Sequence, residues 1–340
     1  MTMIPNARRV KPPAGGGPLS GTFSHGQSVT LTGSGFGTKS TAAPIKYDDF
    51  QSVTIGQTIW DHSTAPGPSW GNLGDQEYNP IANNTKLRAG TPFARNMDSH
   101  WEFPNAGDSA GSALTLAGQT ARKLYFDGWM YLDDTGITSG SIQNFKPVRF
   151  ESGTTSAYFN PYSNSAGDYG GNVRDGVTRV DSDWASDPSS SYYNAWNHVQ
   201  WMADAGSGDN AYDGACHFYR NCGLKYSHVD IAEIGSGEDD WNTFYLGNYI
   251  RSNDQAGHIH IYWESMYVDD SWARVEIGDE AVYDDCTHRE IQRCTAWSDG
   301  SITFVPNRGN FGPTDNVTIF VINESNTVVA TQAATLGTTY

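Results

Sequence analysis

Several stretches carry residues whose types and spacing can do chemistry. "TLTGSGFGTKS", residues 30 to 40, sets Gly33, Gly35 and Gly37 ahead of Lys39 and Ser40, the composition of a phosphate cradle. The Walker pattern needs a glycine directly before the lysine, and the dinucleotide pattern needs one three residues after Gly35. Both demands fall on Thr38. Pro44 stands where either pattern needs a helix N-terminus. The glycines therefore read as a tight turn at a strand end, and Lys39 as a solvated turn residue. A hydrolytic carboxylate pair must flank one bond at ~5 to 10 Å. In "VDIAEIG", Asp230 and Glu233 stand at odd spacing and point to opposite faces of a regular strand unless a bulge intervenes. His258, His260 and Glu264 share a strand face and are metal-ligand types, with no further ligand at a defined position. Calcium fits the acidic loops better, "DSDWASD" (Asp181, Asp183, Asp187) above all, although Tyr192 stands where an EF-hand needs glutamate. No other cofactor is expected. Trp70, Trp184, Trp241 and Trp272 lie in Gly/Ser/Asp-rich segments and are candidates for an exposed carbohydrate-binding platform; the competing reading has them capping a sandwich. Cys216 and Cys222, and Cys286 and Cys294, fall as two local pairs without C-x-x-C. Two short disulfides are expected from them, or a bridge between subunits at Cys286 and Cys294.

The elements that must position these groups are strands. The 340 residues include 37 Gly, 15 Pro, 11 Trp, 18 Tyr and 14 Phe with 37% hydrophobic residues, which describes many short strands and frequent turns. Runs such as "RKLYFDGWMYL", "NFKPVRFES", "AWNHVQWMA", "ACHFYRNCGLK", "NTFYLGNYI" and "HIHIYWESMYV" alternate apolar or aromatic residues with polar ones, as two packed antiparallel sheets require. A net charge of −17 argues against a nucleic-acid partner. No run approaches the length of a membrane span, and the N-terminal "MTMIPNARRVKPPAGGGPLS" has no apolar core behind its basic residues, so a soluble protein without a secretory signal is expected. The fold class read from this is all-β with two packed antiparallel sheets, and the resemblance of these segments to known families implies an antiparallel jelly-roll sandwich inserted in, or flanked by, a small Ig-like β-sandwich. Residues 1–20 read as a flexible arm, 21–46 as the first Ig-like part, 47–278 as the jelly roll, and 279–340 as the second Ig-like part and tail. Neither Ig-like part has strands enough to bury a core alone, which favours one domain interrupted by the jelly roll.

Two resemblances rest on these residues. "GTFSHGQSVTLTGSGFGTKS" and "AWSDGSITFVPNRGNFGPTDNVTIFVIN" resemble the opening and closing strands of IPT/TIG Ig-like modules. "AWNHVQWMADAGSGDNAYDGACHFYRNCG", "NTFYLGNYI" and "IYWESMYVDDSWARVEIG" resemble a concanavalin A-like (laminin G-like) jelly roll. Polysaccharide lyases on that scaffold carry an Arg-x-Glu strand, a Gln-Ile-His strand and a Tyr-Phe-Lys-Ala-Gly-x-Tyr strand. Arg149 and Glu151 resemble the first; Tyr245, Gly247 and Tyr249 resemble the third. The resemblance implies that Arg149 neutralises a uronate carboxylate and Tyr249 shuttles the proton. Leu246 replaces the lysine and Gln-Ile-His is missing, with His198 or His260 as substitutes. These departures favour a non-enzymatic reading: a phage virion surface protein, a capsid decoration or fibre, presenting a carbohydrate-binding-like jelly roll. Its partners would be other virion proteins, further copies of itself and a cell-surface glycan, with no membrane partner, and it would become extracellular on lysis. The alternative is an extracellular polysaccharide lyase or other glycan-degrading enzyme.

Overall fold

The computed structural model describes residues 16–50, 52, 63–74, 86–88, 98–102, 112–133, 142–152, 155–160, 170–174, 179–181, 194–231, 234, 240–252 and 260–340. Apart from one 3₁₀ turn at Tyr283–Asp285, every regular element among them is a β-strand. The protein is all-β, with antiparallel ladders throughout the described sheets. It divides into two compact units, Met1–Ala43 with Ser271–Tyr340, and Pro44–Asp270.

The first unit takes β1 (Gly16–Gly21) and β2 (Val29–Gly33) from one side of the break. From the other side come β18 (Arg274–Gly278), β19 (Arg289–Ser298), β20 (Ser301–Val305), β21 (Asn316–Ile322) and β22 (Val328–Thr335). They form one seven-stranded path in the order β1-β2-β20-β19-β18-β21-β22. Val29 pairs with Phe304 and Leu31 with Ile302, so segments far apart in sequence share a sheet and a core. Residues 274–278, expected to end the jelly roll, instead form a central strand here, paired with β19 and β21. β18 is buried on both faces, and its polar face holds a cluster of charges. Glu276 lies 2.5 Å from Arg274 Nε and 3.0 Å from Arg289 Nε, and the Arg289 guanidinium stacks 3.8 Å from the Tyr283 ring centroid.

The second unit is a sandwich. One sheet joins β4 (Gly71–Gly74), β7 (Ser112–Ala121), β9 (Ile142–Ser152), β10 (Thr155–Asn160), β11 (Gly170–Arg174), β12 (Arg179–Asp181) and β16 (Trp241–Ser252), in the order β12-β11-β10-β9-β16-β7-β4. The other joins β5 (Lys86–Arg88), β6 (Asp98–Glu102), β8 (Lys123–Asp133), β13 (Trp196–Asp204), β14 (Gly214–Arg220), β15 (Gly223–Ile231) and β17 (His260–Asp269), in the order β15-β14-β13-β8-β17-β6-β5, with β3 (Lys46–Asp48) paired to β17. Every second side chain of the central strands meets the opposite sheet. Phe150 stacks on Trp201 at 4.5 Å and 11°, and Phe126 on Phe244 at 5.5 Å and 27°.

The four cysteines are free thiols, which corrects the expected disulfides. Cys216 lies within β14 and Cys222 in the turn beyond its end at Arg220; the extended stretch from Cys216 to Arg220 alone spans about 13 Å at 3.3 Å per residue, beyond the reach of a disulfide. Cys294 lies well inside β19 and faces the core, whereas Cys286 precedes that strand beside the Val282 carbonyl. Trp201→Ala would remove the inter-sheet stack and the indole contact to Cys216 Sγ at 3.1 Å. Urea denaturation of this variant is expected to show a loss of about 3–5 kcal/mol.

Candidate functional site

The alternation that sends Val148 and Phe150 of β9 and Phe244 and Leu246 of β16 into the core turns Arg149, Glu151, Thr243 and Tyr245 to the opposite face of their sheet. The register places Tyr245 directly across from Arg149, and Thr243 from Glu151. The Arg149 guanidinium lies 4.7 Å from the Tyr245 ring centroid and its Nη2 is 2.6 Å from Glu151 Oε1. The pair is partly open to solvent, 17% and 24% exposed. Burial, then a hydrogen bond and charge repulsion from Glu151, push the Tyr245 phenol above its ordinary pKa, so the hydroxyl stays protonated. Sequence reasoning put the proton-transferring role on Tyr249. A register shift lies between Leu246 and Tyr249, and Tyr249 pairs with Lys146. That shift interrupts the alternation joining Tyr245 to Tyr249, and Tyr245 is the tyrosine brought against Arg149. Nothing is described of the Tyr249 side chain.

The other sheet carries a second polar cluster, also on the face turned from the aromatic core. Tyr125, Asp127 and Trp129 of β8 lie beside His198, Gln200 and Met202 of β13, with Gln200 opposite Asp127 and His198 opposite Trp129. Asp127 Oδ2 accepts hydrogen bonds from the Tyr125 hydroxyl at 2.9 Å and Gln200 Nε2 at 2.9 Å, and lies 3.0 Å from His198 Nε2. The imidazole stacks on Trp129 at 4.9 Å and 14°. Burial alone would lower the pKa of His198; the Asp127 carboxylate and the Cys222 thiol outweigh it and raise the value to about 10. This cluster escaped the sequence reading, although polar residues at even spacing in "NHVQ" were its signal. His198 cannot complete the Arg149 constellation, because the core stack of Phe150 on Trp201 lies between the two faces.

The tryptophan platform is corrected as well. Trp70 is 3% exposed, its Nε1 donating to Asp48 Oδ2 at 2.8 Å with Lys46 Nζ over its ring at 5.6 Å. Trp241 is 1% exposed beside Phe150, and Trp272 is 6% exposed, its carbonyl accepting from Arg274. None of the three offers a face to a sugar, and Trp184 lies outside the described residues. Asp183 and Asp187 lie outside them too, and of Asp181 only the strand backbone is described. Among the described residues no cluster of three metal-ligand side chains occurs. His258 and Glu233 also lie outside; β15 does carry a bulge at Asp230, whose φ is +59°. Lys39 is not solvated: 8% exposed, it donates to the Ala42 carbonyl and lies 5.9 Å from the Trp297 ring centroid. The glycine turn before it does bind an anion, the chain's own Asp299 carboxylate, through Gly35 N at 3.3 Å and Gly37 N at 3.0 Å.

No family model matches the chain. No curated protein matches it either. Solved structures similar to it include an endo-β-1,4-glucuronan lyase from the fungus Trichoderma reesei (9% identity, TM-score 0.41, 68% of this chain and 95% of that one). Others are the alginate lyase vAL-1 from Chlorella virus (10%, 0.40, 54% and 89%) and the cellulose-induced protein Cip1 (11%, 0.40, 66% and 97%). These are jelly-roll sandwiches, and at such identities the likeness concerns the arrangement of strands. The expectation of a non-enzymatic phage virion surface protein is corrected: the similar solved structures include polysaccharide lyases, the class of the alternative reading, and nothing in them bears on a phage context or an IPT/TIG module.

The His198–Asp127 pair sets a pH dependence. A histidine whose folded pKa is raised from 6.5 to about 10 contributes stability that is fully present below about 6.5 and is lost as pH rises through about 10. Chemical denaturation at successive pH values should show that decline in the wild type. Asp127→Asn should be less stable at neutral pH and flatten the decline.

Proposed function

We propose that the protein is a polysaccharide lyase acting on a uronate-containing glycan, with its site on the outer face of the β9–β16 ladder. The observation that carries this reading is the cross-strand set of Arg149, Tyr245 and Glu151: one cation, one protonated phenol and one carboxylate within contact of each other. Elimination beside a uronate requires these three chemistries. Arg149 pairs with the substrate carboxylate and withdraws charge from the neighbouring carbon, making its proton more acidic. Glu151 receives that proton. The electron pair forms a double bond in the ring and the glycosidic C–O bond breaks. Tyr245 donates its proton to the departing oxygen. The hydrogen bond between Glu151 and Tyr245 then returns the proton to the phenolic oxygen and resets the site. Tyr249, the nearby tyrosine of the same strand, is not needed for this cycle.

The net charge of −17 opposes a polyanionic substrate at long range. At physiological ionic strength charges more than about 8 Å apart are largely screened, so Arg149 acts as the local attraction once the chain is close. Incubation with glucuronan, alginate and polygalacturonate, followed by the ultraviolet absorbance of unsaturated ends, tests the reading. At least one polymer should give a rise in absorbance that is larger at moderate salt than at very low salt. Tyr245→Phe and Arg149→Ala should each lower the rate at least 100-fold while circular dichroism stays unchanged. Tight binding of a polymer without any unsaturated product would replace the lyase by a binding module.

A further inference from the structure

The unit built from β1, β2 and β18–β22 has an opening of its own. The β18–β21 ladder stops at Gly278 opposite Thr318, whereas the β21–β22 ladder runs two residues further, to Asn316 opposite Thr335. At that step the chain after β18 leaves the sheet. Asp279 pins the departure: its Oδ1 accepts from Thr287 N at 3.0 Å and His288 N at 3.1 Å, and its Oδ2 from Thr287 Oγ1 at 2.6 Å. An open cavity of about 320 Å³ lies where β21 has lost its β18 neighbour, bounded by residues 279–281, 316–318 and 333–335 and by Tyr340. That volume is at the lower end of the ~300–1,000 Å³ of small-ligand sites. Ala281 and Ala333 are exposed on its wall, and their short side chains leave it clear. The fold uses the polar groups around it only in part. Asn316 Oδ1 accepts from Thr335 Oγ1 at 2.7 Å, which leaves the two Nδ2 hydrogens to donate. The Tyr340 hydroxyl accepts from Thr335 N at 2.8 Å, which leaves its own proton to donate, and the residue is 44% exposed. Glu280 is exposed, and its carboxylate accepts no hydrogen bond among the described residues. No described lysine or arginine lines the cavity.

We propose that this cavity binds an uncharged sugar unit of a glycan, with the Tyr340 ring against the apolar face of the sugar and Glu280 and Asn316 sharing its hydroxyls. The rim combines one free carboxylate acceptor, amide and phenol donors, and one exposed aromatic ring, the groups by which proteins hold sugars. A hydroxyl both donates and accepts, so a sugar can satisfy every group of this mixed rim. An ammonium or guanidinium only donates, and it would leave the Asn316 and Tyr340 protons unmet. A uronate would bring its carboxylate to Asp279 and Glu280 with no lysine or arginine to offset the repulsion. The cavity therefore selects against the charged units that Arg149 is proposed to hold. In a glycan with both kinds of unit, holding a neutral one raises the effective concentration of the rest at the protein. The inference does not rest on the lyase reading.

The full-length protein is titrated with cellotetraose, xylotetraose, mannotetraose and galactotetraose, with an alginate tetrasaccharide and tetralysine as charged controls, and binding is followed by ligand-observed NMR. At least one neutral tetrasaccharide should bind with a Kd of about a millimolar or below. Tyr340→Ala should weaken that binding about tenfold, as loss of an aromatic contact does. Glu280→Gln should weaken it about threefold, and Ala333→Arg, which fills the cavity, should abolish it. Glu280, Ala333 and Tyr340 are exposed, so the variants should keep the wild-type circular dichroism. Arg149→Ala should leave the neutral sugar bound as before. A wild type that binds none of the four neutral tetrasaccharides overturns the proposal, and that reading needs no variant. Binding that survives both Tyr340→Ala and Ala333→Arg also overturns it, because the sugar then sits elsewhere. Tetralysine binding that those two variants abolish would replace the sugar by a cationic partner. No elimination enters these measurements, so they stand or fall separately from the ultraviolet assay.

Discussion

The stack of Phe150 on Trp201, 4.5 Å apart across the sandwich, fixes the parity of the strands that carry it, and the parity fixes everything else. Strand side chains alternate, so anchoring one residue inward decides the direction of all its neighbours until a bulge intervenes. With Phe150 inward, Arg149 and Glu151 must face out from one sheet. With Trp201 inward, His198 and Gln200 must face away from the core on the other. Phe126 against Phe244 repeats the constraint on β8 and β16, turning Asp127 to the side of His198 and Tyr245 to the side of Arg149. Two polar constellations therefore arise on opposite sides of one apolar layer. They are chemically separate because the layer that positions both also divides them.

Each unit also places charge on a strand buried on both faces. In the sandwich it is His198 of β13 against Asp127 of β8; in the other unit it is Glu276 of β18 between Arg274 and Arg289. Removing such groups from water costs several kcal/mol per ion, and pairing returns part of it. The net gain in stability over apolar residues is small, but the penalty for error is large. A one-residue slip of β13 would carry His198 into the aromatic layer and leave the Asp127 carboxylate buried without its cation. The ion pairs thus act with the aromatic stack: the stack rewards the correct register, and the charges penalise the wrong ones.

This explains what could be read from sequence. Alternation in "NFKPVRFES", "AWNHVQWMA" and "NTFYLGNYI" is a local property, and these runs are β9, β13 and β16. The all-β class follows from such runs. Trp70 could not be read, because its burial depends on Asp48, 22 residues away, and on Lys46, whose ammonium also binds the carbonyls of Ala65 and Pro68. Its glycine- and proline-rich surroundings describe a loop truly, but not that the loop is tied down over the indole. Tyr249 failed for another reason. Spacing predicts faces only in a regular strand, and the shift after Leu246 falls at Gly247-Asn248, residues whose tolerance for irregular backbone is the only sign of it. The His198 cluster was half visible, since even spacing of polar residues was there, but Asp127 and Trp129, which hold the imidazole, come from another strand, β8, with Asp127 71 residues away.

The glycine turn at residues 33–37 shows how an occupied site differs from an available one. Its amides do what phosphate-binding amides do, and they do it for Asp299, 262 residues from Gly37. The same turn is bound through backbone as well, Gly33 N to the Gly300 carbonyl at 2.9 Å and Phe36 N to the Asp299 carbonyl at 3.1 Å. A free anion would have to undo a set of mutually supporting bonds that join β2 to the β19–β20 hairpin, so the cradle serves the fold. Arg149 is held otherwise. Its link to Glu151 is a pair of side chains on an open sheet face, the kind of contact that contributes little against water. A carboxylate arriving on that face competes with Glu151 on nearly equal terms. In the proposed elimination, displacing Glu151 from the guanidinium would free a base beside Tyr245, and an ion pair partly open to solvent is one that a substrate carboxylate would displace at modest cost.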